Sequence, residues 1–145
     1  MFPLIDSVRR IDAARIVHAL SRRAIRYDVS TQMTEARMVI VMMLTTVPDA
    51  AVARALADGA LSARLAACVS ELGAIRSSYH WQGKVETATE IQLLFKTSAV
   101  RALELERYIQ SHHPYDVPEI VSWQATASAA YGQWVATETQ RSFHV

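Results

Sequence analysis

The sequence is short of the features that define disulfide-stabilised, membrane-spanning and nucleic-acid-binding proteins. It has one cysteine, Cys68, so a single chain can form neither an internal disulfide nor a thiolate zinc site. Its longest uninterrupted apolar run, residues 38–44, is far shorter than the ~20 residues that a membrane helix needs. The formal net charge is only +1, which gives no indication of a nucleic-acid partner.

Residues 1–36 differ in character from the rest of the chain. Six arginines and four acidic residues stand there among apolar residues at roughly helical spacing. Charged side chains interrupt every apolar stretch that would otherwise qualify as the core of a secretory signal. We therefore expect a cytoplasmic protein with an N-terminal extension, 1–36, that is either helical or disordered, followed by one domain over 37–145.

The hydrophobic pattern after residue 36 begins with a strand and a helix. Residues 38–44 include three consecutive β-branched residues and predict a central strand. Pro48 and Asp49 suit the first turn of a helix, because proline needs no N–H there and the carboxylate lies at the positive end of the helix dipole. The predicted inner stripe of this helix is Val52, Leu56, Leu61 and Leu65.

Residues 68–97 predict a long β-hairpin. Gln82, Gly83 and Lys84 mark its turn, and Gly73 and Ala74 mark a turn or bulge in the first strand. Tyr79 and Trp81 place large aromatic side chains near the tip, opposite a polar return strand. A two-stranded ribbon cannot bury such side chains alone, so the pattern indicates packing against another subunit.

The remaining elements complete a ferredoxin-like pattern. A second helix is predicted over 98–112, ended by Pro114 because the residue before a proline disfavours helical geometry. A strand over 119–124 and a last helix capped by Ser128 follow. The order predicts an α+β fold: a ferredoxin-like βαββαβ sandwich with a long β-hairpin and an appended C-terminal helix.

The residues richest in chemistry are 111–119, which combine two histidines, a tyrosine and two acidic residues between two prolines. His112, His113 and Glu119 offer nitrogen and oxygen donors to a divalent ion, and the Irving–Williams order favours copper(II), with zinc as competitor. Adjacent side chains point in different directions, so we expect a site shared between subunits. A neighbour's Glu119, Glu86 or Glu90 would complete it.

A purely structural interpretation of the same segment stands beside the metal site. His112 continues the stripe of Leu105 and Ile109, which suggests a buried core histidine. His113, at a helix C-terminus, would be stabilised as a cation by the helix dipole. Cys68, flanked by apolar residues, reads as a small buried hydrophobic side chain.

Five motifs in order resemble the CutA family of divalent-cation tolerance proteins. The resemblance covers residues from Met38 to about Thr139. The motifs are Thr46–Asp49 (TVPD), Leu65–Val69 (LAACV), Ser78–Glu86 (SYHWQGKVE), Phe95–Thr97 (FKT) and Ser111–Ile120 (SHHPYDVPEI). The resemblance implies a ferredoxin-like subunit in a homotrimer, with a role in tolerance to copper and other divalent cations and no enzymatic activity.

The resemblance also implies metal ligands. The family's proposed copper ligands correspond to His112 and His113, together with a cysteine at the end of the first strand. Thr45 occupies the position of that cysteine here, which removes the donor that would favour Cu(I). The remaining ligand prediction is His113, helped by His112 and Glu119 across a subunit boundary.

Two other functions remain open from the sequence. One is a trimeric small-ligand sensor or scaffold resembling the PII signalling proteins, although no glycine-rich phosphate-binding loop is present. The other is acid–base catalysis by His113 and Glu119, which no accompanying nucleophile or oxyanion motif supports.

Overall fold

Residues 37–141, the part of the chain that the computed structural model describes, contain four strands and three helices. In chain order these are β1 (Arg37–Val47), α1 (Ala50–Ser62), β2 (Cys68–Trp81), β3 (Lys84–Thr97), α2 (Ala102–His112), β4 (Val121–Ser128) and α3 (Ala129–Glu138). This order confirms the predicted βαββαβ arrangement with an appended helix. The expected extension over 1–36 lies outside the described residues.

The four strands form one antiparallel sheet in the order β2-β3-β1-β4, as in a ferredoxin-like fold. β1 is central because it is the most apolar strand, and Met43 and Val47 are among its buried residues. Leu93 and Phe95 from β3 join the same core, which α1 and α2 cover. No helix among the described residues is long and apolar enough to cross a membrane.

The helix α1 begins two residues later than predicted, at Ala50 and not at Pro48. Asp49 is the N-cap, with extended backbone and a carboxylate that accepts hydrogen bonds from the backbone N–H groups of Ala51 at 2.8 Å and Val52 at 2.9 Å. Pro48 therefore precedes the helix and does not lie in its first turn. The predicted inner stripe was partly wrong. Ala53, Leu56 and Ala60 are the buried helical residues, whereas Leu61 is exposed and Leu65 is buried after the helix has ended.

Two predicted element boundaries in the second half of the domain were wrong. The helix α2 begins at Ala102, not at Ser98, because Ser98 to Arg101 form a turn closed by a backbone hydrogen bond of 3.0 Å. β4 runs to Ser128, since residues 125–128 pair with the first residues of β1. Ser128 caps α3 as predicted, with its hydroxyl accepting the N–H of Tyr131 at 3.4 Å.

The long hairpin was predicted correctly. Gln82 and Gly83 both have positive φ, at 49° and 79°, as expected for a two-residue type I′ turn. A bulge interrupts the register of β2 at Gly73, whose φ of 107° favours glycine. β1 pairs with β3 only from Ile91 onward, so residues 84–90 of β3 pair with β2 alone and the hairpin extends beyond the sheet.

Two buried threonines have opposite hydrogen-bonding states. Thr45 is fully buried, and its hydroxyl has no hydrogen-bond partner within the described residues. Thr97 is also fully buried, but its hydroxyl donates to the carbonyl of Leu65 at 2.6 Å. An unpaired buried hydroxyl destabilises a fold by about 1–3 kcal/mol. Thr45 is thus a weak point in the core.

The substitution Thr45→Val should therefore raise the free energy of unfolding by about 1 kcal/mol, because it removes the unpaired hydroxyl at nearly constant volume. Thr97→Val is the matched control. It should lower the same free energy by about 1–3 kcal/mol, since it leaves the carbonyl of Leu65 without its partner. Both are measured by denaturant unfolding at one fixed protein concentration. Equal losses in the two variants would contradict this account of Thr45.

Candidate functional site

A hydrogen bond of the His113 side chain holds the segment after α2 against the end of β1. Its backbone is extended, with ψ of 137°, because Pro114 follows it. Its Nε2–H donates to the carbonyl oxygen of Thr46 at 2.9 Å, and its Nδ1 accepts the backbone N–H of Tyr115 at 3.2 Å. This pair of contacts specifies the neutral ring protonated at Nε2. Both ring nitrogens are therefore engaged, and neither offers a lone pair to a metal in this conformation.

The environment of His113 also keeps the ring uncharged. Burial lowers the pKa of His113 below its ordinary value of 6.5 and outweighs the hydrogen bond to Thr46 and the negative charge of Glu90, which both act to raise it. The interpretation of His113 as a cation stabilised by the helix dipole is therefore wrong. The residue serves as a neutral connection between a loop and the sheet.

His112 has the opposite character. It is exposed, not buried in the apolar stripe of α2, so the core interpretation is wrong. Its Nδ1–H donates to the carbonyl of Tyr108 at 2.8 Å, and its ring lies 4.3 Å from that of Tyr108. Its Nε2 has no hydrogen-bond partner among residues 37–141. An imidazole that donates one N–H to a carbonyl and leaves its other nitrogen free has the arrangement found in metal-ligating histidines.

Glu119 lies in the wall of a cleft between the hairpin and the segment after α2. The cleft has a volume of about 550 Å³, and its lining includes Thr46, Tyr79, Trp81, Glu90, Tyr115 and Glu119. His112 and His113 do not line it. Within residues 37–141, no three His, Cys, Asp or Glu side chains are grouped closely enough to hold a metal ion. One chain thus does not bring the three predicted ligands together.

A hydrogen bond in this cleft joins Tyr115 to Glu90. The hydroxyl of Tyr115 donates to Oε1 of Glu90 at 3.0 Å, and Glu90 is only 5% exposed. Burial, followed by this hydrogen bond, raises the pKa of Tyr115 to about 12, so the phenol stays protonated. From the sequence, Glu90 was expected only as a metal ligand supplied by a neighbouring subunit. A carboxylate next to the apolar stretch of β3 was the available signal for its burial.

Thr45 and Cys68 contribute nothing to this cleft. Thr45 is fully buried in the core. Cys68 is half-buried, and the ammonium group of Lys96 lies 3.6 Å from its sulfur. The prediction that Cys68 is a small buried hydrophobic side chain was therefore wrong, because the residue is only half-buried and β3 places a lysine beside it.

Comparison with known proteins gives one consistent result. The sequence model of a family described as CutA1 divalent ion tolerance protein matches residues 41–138. The divalent-cation tolerance protein CutA of Pectobacterium atrosepticum is 43% identical over 81 residues, which cover 56% of this chain and 74% of that protein. The protein of the same name from Yersinia pestis (strain Pestoides F) is 44% identical over 81 residues, covering 56% of this chain and 68% of its own.

Solved structures agree with the sequence matches. The structure of CutA from Synechococcus elongatus has a TM-score of 0.68 and 35% identity, covering 74% of this chain and 98% of that one. CutA from Xylella fastidiosa has a TM-score of 0.67 and 37% identity, covering 70% and 98%.

The lowered pKa of His113 gives the fold a defined dependence on pH. Because the unfolded chain binds a proton at this residue more readily than the folded chain, the free energy of unfolding should fall as the pH is lowered through 6.5. The variant His113→Gln should lose this part of the dependence. Unfolding measured between pH 7 and pH 5 for both proteins gives the comparison, and histidine NMR should show a midpoint below 6.5 for His113. A midpoint above 6.5 would contradict the neutral role.

Proposed function

This chain belongs to the CutA1 family of divalent ion tolerance proteins, and from that premise we propose that it serves divalent-cation tolerance as a homotrimer that binds copper(II) or another divalent ion. The proposed role is non-enzymatic, which is in keeping with a family description that names tolerance and no reaction. We also propose a cytoplasmic location, because charged side chains interrupt each apolar stretch that could form the core of a secretory signal. The metal would be the cargo or signal of the protein. His112 is the donor on which this proposal depends.

The observation that carries the metal proposal is the free Nε2 of His112. The opposite nitrogen is fixed by the carbonyl of Tyr108 at 2.8 Å, which orients the ring and defines the tautomer. Imidazole nitrogen is a suitable ligand for Cu(II) and Zn(II). Residue 45 is a threonine, so it provides no thiolate that would favour Cu(I). Of the two adjacent histidines, His112 is therefore the better donor, and His113 is the residue that holds the loop.

One histidine does not make a stable metal site. A chelate within one chain does not fit the described residues, because no three donors are grouped there. We therefore place the remaining donors on a neighbouring copy, with the exposed carboxylate of Glu119 as the predicted oxygen ligand. Such a shared site requires a defined oligomer.

The exposed apolar surface of the hairpin supports association between copies. Tyr79 is 43% exposed, Trp81 45% and Val85 68%, all on the part of the hairpin that extends beyond the sheet. Apolar side chains gathered on such a ribbon mark an interaction surface. The number of three subunits is taken from the family resemblance, and the hairpin is the segment we expect to reach the neighbouring subunit.

Metal titration of the full chain tests the assignment of His112. We expect His112→Gln and Glu119→Gln each to weaken Zn(II) or Cu(II) binding by at least about tenfold, because each removes a direct ligand. His113→Gln should weaken binding less than either of these, since His113 uses both ring nitrogens within its own chain and affects the metal only by holding the segment that carries Glu119. Isothermal titration calorimetry at pH 7 measures all three.

The exposed hairpin histidine His80 provides the matched control, and His80→Gln should bind metal as the unchanged chain does. If His113→Gln abolished binding and His112→Gln did not, the ligand assignment would be reversed. If no variant differed from the original chain, metal binding would not involve this segment.

Native mass spectrometry tests the oligomer. The intact protein should appear at three times the chain mass of 16.1 kDa. Val85→Lys should shift the population toward smaller species, because it places a charge in the apolar surface of the hairpin. Val100→Lys, at an 83% exposed position before α2, is the control and should leave the mass unchanged. A monomer at micromolar concentration would overturn the trimer proposal.

A further inference from the structure

Within residues 37–141, the buried carboxylate of Glu90 has no positively charged partner. Glu90 is 5% exposed, and the one hydrogen bond to its carboxylate from this part of the chain is donated by the hydroxyl of Tyr115 to Oε1. The ion pairs among residues 37–141 join Arg64 to Glu138 and Glu104 to Arg101 and Arg141, and none includes Glu90. Oε2 has no hydrogen bond among these residues and is not one of their fully enclosed unpaired atoms, so it keeps some contact with solvent. Glu90 itself lines the cleft.

Such an arrangement favours a positively charged ligand. A carboxylate removed from water is strongly destabilising unless a cation or several hydrogen bonds compensate it. Tyr115 supplies one hydrogen bond and no charge. Among residues 37–141, no Lys, Arg or His side chain lines the cleft, and Glu119 adds a second carboxylate to its wall. An anionic ligand such as a phosphate would be repelled by both acids.

The aromatic lining narrows the class of cation. Tyr79, Trp81 and Tyr115 all contribute to the walls, and aromatic faces attract ammonium and guanidinium groups, with tryptophan the strongest. The volume of about 550 Å³ lies within the range of small-molecule sites. A divalent metal suits the cleft less well, because it requires several grouped donors and none are found in residues 37–141.

We propose that this cleft binds an organic cation, an ammonium or guanidinium group, with Glu90 as its charged anchor and Trp81 as its aromatic wall. The site goes beyond the proposed metal function, since neither His112 nor His113 lines it, and its anchor Glu90 is not among the proposed metal ligands, although Glu119 lies in its wall. The cation can come from a free amine or from a basic side chain of a second copy of this chain. Both sources share the same chemistry at Glu90.

Calorimetric titration of the full chain with 1,4-diaminobutane and with arginine amide tests the proposal. The neutral isostere 1,4-butanediol is the ligand control. Glu90→Gln keeps the size of the side chain and an acceptor for Tyr115 but removes the charge, so it should weaken binding of either cation by at least about tenfold. Trp81→Leu, at an exposed hairpin position outside the core, should weaken binding severalfold, and its native mass is measured alongside because Trp81 also belongs to the proposed subunit surface.

Glu106→Gln, an exposed carboxylate on α2 away from the cleft, is the matched control and should bind as the unchanged chain does. If neither cation bound, but Glu90→Gln shifted the native mass toward smaller species, the cation would come from a second copy. Equal binding of the diol, or no effect of Glu90→Gln on either cation binding or subunit number, would overturn the proposal. The metal affinity of Glu90→Gln should equal that of the unchanged chain. The result for the cation cleft can therefore be distinguished from a failure of the proposed metal ligand His112.

Discussion

The hydrogen bond from His113 to the carbonyl of Thr46 is the constraint on which the candidate site depends. It joins residues 67 positions apart and fixes the segment after α2 against the end of β1. Because His113 is held there, Tyr115 lies within hydrogen-bond distance of Glu90 on β3, and Glu119 lies in the wall of the cleft. A charged imidazole would lose the acceptor role of Nδ1 toward Tyr115, so the neutral ring is part of the same constraint.

The same constraint separates two adjacent histidines into different roles. His112 is the last residue of α2, and its Nδ1 bonds to a carbonyl of its own helix, whereas His113 has already left the helix and bonds to the sheet. One nitrogen therefore remains free on His112 and none on His113. Neither histidine lines the cleft, so a metal at His112 and a cation at Glu90 would lie in different places, and Glu119, the proposed oxygen ligand of the metal, is in the wall of the cleft as well.

Much of the fold was predictable because its signals are local. Hydrophobic pattern and backbone chemistry alone predicted three features: the strand containing residues 38–44, the turn at Gln82 and Gly83, and the end of α2 before Pro114. The errors lie where tertiary contacts decide. Residues 125–128 look like a loop, but they extend β4 because the start of β1 offers them a pairing partner. Ser98 to Arg101 are compatible with helix, but the turn there fits the guanidinium of Arg101 against the carbonyls that follow α1.

The candidate site shows the same contrast between what local sequence predicts and what tertiary contacts decide. His112, His113 and Glu119 were recognisable as chemically competent residues, but their ranking required the acceptor on Thr46, which no local pattern in 111–119 specifies. Glu90 is the harder case. Its burial follows from the register that places Ile91 opposite Val47, so that Glu90 stands just beyond the last pair of β1 and β3, where the hairpin leaves the sheet. A carboxylate at that boundary is sheltered on one side by the sheet and open on the other to whatever enters the cleft. The environment of Glu90 therefore depends on where the pairing of β1 with β3 ends. The length of β1 matters to its chemistry as much as the carboxylate itself does.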